Sequence, residues 1–187
     1  MRNFIVSLKA KEVAGPLSRE TVALYLPQGT AGQSIEDSWA ITEEALRRLK
    51  SEVEADGARL IVVSLPDVVS VSLNSKEELI REYGATSLPD DFDPLEPDRR
   101  LAVLTSKLSI ESISLTDAFR DYRDRYSLPY PYFSYSCDGH WNPVGHALAA
   151  TVIADYLTGA STTPASPEDI LGDPGYRAVY EGGIYRP

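Results

Sequence analysis

Apolar positions change their period along the chain, and each change predicts an element. Trp39, Thr42, Leu46, Leu49 and Val53 recur at helical spacing. Ser34 and Asp37 form a capping-box pattern, and Gly57 stands where a helix-ending glycine belongs. A helix is predicted from about 35 to 56. The run 58-ARLIVVSLP-66 is then continuously apolar, as expected of a strand buried on both faces of a parallel sheet. Upstream, 4-FIV-6 and 21-TVALYL-26 also read as strands, with 27-PQGTAGQ-33 as the following loop.

Helical spacing returns after the apolar run. The segment 75-SKEELIREYG-84 predicts a short helix, and 87-SLPDDFDPLEP-97 reads as an acidic, solvated connection. Pro97 suits a helix start, with Leu101, Leu104 and Leu108 on its buried face. The run 111-ESISL-115 predicts a second parallel strand, and Thr116 is the expected cap of a helix over 117–125. Asn142 and Pro143 open a last long helix, in which Val144, Leu148, Val152 and Tyr156 share a face before Gly159 ends it. Helix and strand thus alternate from 35 to 158, which predicts an α/β layer fold with a mostly parallel sheet. Residues 1–158 form the expected single domain. Residues 159–187, rich in Pro, Gly, Ser and Thr, are the expected tail.

Composition narrows the partners. A hydrophobic content of 43% and a charged content of 25% suit a globular protein with a core of its own. A net charge of −10 argues against nucleic acid or an anionic membrane surface as partner. The single cysteine excludes an internal disulfide framework. No stretch is long enough to cross a bilayer, and MRNFIVSLKAKEVAGP lacks the apolar region of a signal peptide.

Chemistry concentrates in 137-CDGHWNPVGHALAA-150, which holds both histidines and the cysteine. In an extended loop, Asp138 and His140 project to one side, so the carboxylate can fix the imidazole tautomer and leave the other nitrogen as a base. His146 falls in the first helical turn, where packing or a structural hydrogen bond is the plainer role. Asp138, His140 and His146 could in principle ligate zinc, but the histidines lack the one-turn spacing that shares a helix face. No metal or cofactor is expected. Cys137 suits a small buried residue, and Trp141 either packs or walls a pocket. The tyrosines between 122 and 135 either pack the loop or line a sugar cleft.

The block DGHWNPVGHALAA resembles the last conserved block of the SGNH hydrolases, also called GDSL-type esterases. The segments 39-WAITEEALRRLKSEVEADGARLIVVSLP-66 and 97-PDRRLAVLTSKLSIESISLTDAFRD-121 are similar to helix–strand units of bacterial members. The resemblance is strongest over 39–158. It implies a flavodoxin-like three-layer α/β/α sandwich and a serine esterase or O-acyltransferase acting on acyl esters of small molecules or glycans. His140 would be the general base and Asp138 its orienting acid, with Trp141, Asn142 and Tyr135 on the substrate side. The D-x-H spacing resembles the alginate O-acetyltransferase branch.

The G-D-S and G-x-N-D blocks, which supply nucleophile and oxyanion hole in that family, are absent; 172-GDPG-175 is the one Gly-Asp pair. A sheet lacking its first strands leaves 58-ARLIVVSL-65 short of neighbours. The chain is therefore expected to be the C-terminal part of a longer protein, which would carry any export signal. The alternative is a non-catalytic relative that binds a glycan or a partner.

Overall fold

The computed structural model describes residues 18–72, 80, 87–128, 133–134 and 140–172. They form a mixed α/β structure, mostly helical. In order these are α1 (Arg19–Ala23), α2 (Gln33–Ala55), β1 (Ile61–Ser64), α3 (Val68–Ser72), α4 (Glu96–Lys107), β2 (Glu111–Ser114), α5 (Thr116–Tyr126), α6 (Pro143–Thr158) and α7 (Pro167–Gly172). The segment at 4–6 lies outside the described residues, as does the helix expected over 75–84 apart from Ile80, which is helical.

The strand expected over 21–26 is replaced by α1 and a turn. Ser18 caps α1 by accepting the Thr21 N–H at 3.0 Å. The chain then turns, Tyr25 N–H donating to the Val22 carbonyl at 3.0 Å. The turn delivers Tyr25 into a small cluster with Val69 and Phe92. Burial of that ring outweighs the strand preference of a β-branched run. Phe92 comes from the stretch expected to be a solvated connection, and it is buried. The Tyr25 hydroxyl also donates to Asp67, which caps α3 by accepting the Ser70 N–H at 2.7 Å.

The N-terminus of α2 lies two residues ahead of the Ser34 capping box. Gly32 is its cap, with φ 91°, a backbone angle that side chains disfavour. Ser34 falls inside the first turn, and Gln33 pairs with Asp37 instead. No residue of α2 is fully buried.

The two strands pair in parallel, from Ile61 opposite Glu111 to Ser64 opposite Ser114. Burial on both faces of β1 is not observed: all four of its residues are half-buried. Among the described residues β1 has one strand neighbour, and Leu65 just beyond it is 65% exposed. In β2 only Ile113 is buried.

Thr116 is not the cap of α5. It is the first residue of the helix, after Leu115 at the cap position. Its hydroxyl donates to Asp98, in the first turn of α4, at 2.5 Å, and Ser64 at the end of β1 donates to the same carboxylate. One acidic side chain thus ties together the carboxyl end of β1, the start of α4 and the start of α5.

The main core gathers Ile113, Leu115, Phe119, Tyr122, Phe133, Val144 and Leu148, with Val71 and Ile170 closing its sides. Ile170 belongs to α7, within the stretch expected as a tail. The Tyr122 hydroxyl donates to the Ala165 carbonyl at 2.6 Å, a second attachment of that stretch to α5.

Candidate functional site

Asn142 caps α6 as its sequence chemistry requires. Its extended backbone precedes Pro143, and its side-chain oxygen accepts the Gly145 N–H at 3.1 Å. The Asn142 N–H in turn donates to the Phe133 carbonyl at 2.7 Å. Beside it, Trp141 and Ser134 form an isolated antiparallel bridge. The two ends of the 133–142 loop are therefore clamped together where α6 begins.

Aromatic packing holds the clamp from below. Phe119, fully buried in the first turn of α5, lies 4.6 Å from the Phe133 ring and 5.1 Å from the Trp141 ring. That turn directly follows the carboxyl end of β2, the end at which α/β folds collect ligands. In an extended segment successive side chains alternate, so a Trp141 turned towards Phe119 directs His140 outward. His140 is exposed accordingly. His146 is exposed too, its ring edge-on to Trp141 at 5.8 Å and 70°.

Of the five site residues expected from sequence, His140, Trp141 and Asn142 come together at this clamp. Asp138 and Tyr135 lie outside the described residues, as does Cys137. Trp141 is half-buried against Phe119, and Asn142 spends its side-chain oxygen on the helix cap. What this arrangement offers chemically is an exposed imidazole whose backbone is fixed within one residue by a bridge, a cap and an aromatic floor. A backbone so held presents the His140 side chain to solvent from a fixed point. Beneath it, burial pushes the Tyr122 phenol up to about 12, with the neighbouring Tyr126 adding to the shift. Tyr122 is therefore a neutral core group throughout the working range of a histidine.

The Ser64–Asp98–Thr116 cluster was not foreseen. Its only sequence signal is an acid in the first turn after Pro97, a common favourable placement near a helix N-terminus. The site also stands apart from a groove of about 560 Å³ between α2 and α4. There Arg100 lies over the Trp39 ring at 4.9 Å and pairs with Glu36 at 2.6 Å, and that hydrogen bond holds the Glu36 carboxyl below its usual range. Lys107 pairs with Glu43 at 2.8 Å, and Arg99 with Glu96 and Asp93. These opposite charges satisfy one another.

Among the described residues, no three His, Cys, Asp or Glu side chains stand close enough to hold a metal ion. No described helix is long and apolar enough to cross a membrane. No family model matches the chain, and neither the curated proteins nor the solved structures contain a match to it.

Proposed function

We propose that the chain carries the acid–base half of an SGNH-type serine esterase or O-acyltransferase site, within a three-layer α/β/α sandwich of flavodoxin-like order. His140 is the general base and Asp138 orients it. The substrate is an acyl ester of a small molecule or glycan, bound on the exposed side of the clamp near Trp141, Asn142 and Tyr135. The observation that carries this reading is the placement of an exposed His140 on a loop clamped at the start of α6, against the turn that follows the carboxyl end of β2. The parallel pairing of β1 and β2 supports the sheet type. The nucleophilic serine has no counterpart in a G-D-S block of this sequence, so the reading assigns this chain the base and not the nucleophile.

The test is a fluorophosphonate label on the protein isolated from its source, followed by intact mass. A labelled species is expected, and His140→Ala should lower labelling and ester turnover by about 10²–10⁴-fold with the fold intact. Undiminished turnover in folded His140→Ala protein rejects the assignment. An unlabelled wild-type protein replaces it with the non-catalytic binding reading.

A further inference from the structure

The first turn of α6 meets both ends of the 133–142 loop at a single glycine. Gly145 is the third residue of α6, and its backbone does not need glycine: it is helical and has no positive φ. Alanine is the stronger helix former at such a position. The reason for glycine is space. A Cβ on Gly145 would stand 2.8 Å from the Phe133 carbonyl oxygen, 3.3 Å from the Phe133 Cβ and 3.3 Å from the Trp141 Cβ.

Those three atoms belong to the two strands of the clamp. The Phe133 carbonyl is also the acceptor of the Asn142 N–H that closes the loop. Neither side can retreat from an added methyl group. Phe133 and Trp141 rest on the fully buried Phe119, and α6 is held by the buried Val144 and Leu148. An alanine at 145 therefore has to displace the Phe133 carbonyl, the group that accepts the Asn142 N–H. His140 leaves the bridge one residue before Trp141, so its backbone moves with that displacement.

We propose that Gly145 is a positioning residue for His140, its missing side chain allowing α6 to lock both ends of the loop that presents the imidazole. The proposal rests on the reading of His140 as the base. It makes the start of α6 a part that sets where the imidazole sits.

The experiment uses the full chain and its Gly145→Ala variant. The chain has two histidines, so its imidazole Hε1 protons give two NMR signals, assigned with His146→Gln. In Gly145→Ala the His140 signal should move or split. In the longer protein that supplies the nucleophile, Gly145→Ala should lower ester turnover on the order of 10²-fold in kcat, the loss typical of an ångström-scale misplacement, with KM little changed. Ile153→Val trims the core from the far part of α6 and should leave both the signal and kcat unchanged. If Gly145→Ala does not fold, Phe119→Leu loosens the same clamp from below and should move the same signal. A His140 signal unchanged in folded Gly145→Ala, or moved equally by Ile153→Val, overturns the proposal. Absence of turnover in the longer protein isolated from its source rejects the hydrolase reading instead, and the ring signal of this chain still decides whether Gly145 places His140.

Discussion

Raising the pH above 10 should weaken this protein through one buried phenol. Tyr122 is 2% exposed, and burial pushes its ionisation from the ordinary 10.0 up to about 12. In the unfolded chain the same group ionises near 10. Below pH 10 it is neutral in both states, and folding gains its full contribution. Between pH 10 and 12 the unfolded chain gives up a proton that the folded protein keeps, so stability falls as pH rises. Two units of separation amount to about 2 kcal/mol by pH 12.

Tyr122→Phe isolates the effect. It removes the hydrogen bond to the Ala165 carbonyl, a loss of about 1 kcal/mol at every pH because that exposed segment can turn to water. It also removes the alkaline loss. The wild type should therefore be the more stable protein at pH 8 and the less stable one at pH 11.5, the two curves crossing at about pH 10.7. Urea unfolding followed by circular dichroism, at matched ionic strength, reads both proteins across this range. The other tyrosines and the lysines contribute equally to each and cancel in the difference. Parallel curves with no crossing would show that Tyr122 ionises as freely in the folded protein as in the unfolded one, and the burial argument would be wrong.

Asp98→Ala should cost about 3 kcal/mol in urea unfolding, since it leaves the Ser64 hydroxyl and the buried Thr116 hydroxyl without their shared carboxylate; a loss under about 1 kcal/mol rejects the tie between β1, α4 and α5. In β1, amide hydrogen exchange should be slow at all four residues if the proposed sandwich gives the strand neighbours on both sides; fast exchange at alternate positions would reject the sandwich and leave a two-stranded sheet.

Elements were legible in the sequence where a few adjacent residues decide them. Asn142–Pro143 needs only its own turn to start α6, and the apolar run ending at Ser64 is enough to predict a strand in a parallel sheet. The turn after α1 and the start of α5 were not legible, and each miss has a partner distant in sequence. Tyr25 turns inward to meet Phe92 and Asp67. Thr116 gives its hydroxyl to Asp98 when a local cap was expected. The helix α3 carries no strong local helix signal in 67-DVVSV-71, whose β-branched residues favour strand, and Asp67 caps it.

The candidate site shows the same division between local and distant causes. Composition marked the 137–150 block, because both imidazoles fall there, but spacing could not say which way either ring faces. That is decided by Phe119, far back in the chain, which draws Trp141 inward and by alternation turns His140 out. The glycine in N-P-V-G-H reads from sequence as a small residue in a helix and nothing more. Its meaning appears only when the Phe133 carbonyl is found where its side chain would be. A side chain on a loop is only as well placed as the rigid elements that hold the loop's ends. Here those elements are the first turns of α5 and α6, and a single added methyl group at their junction would act on His140 without touching it.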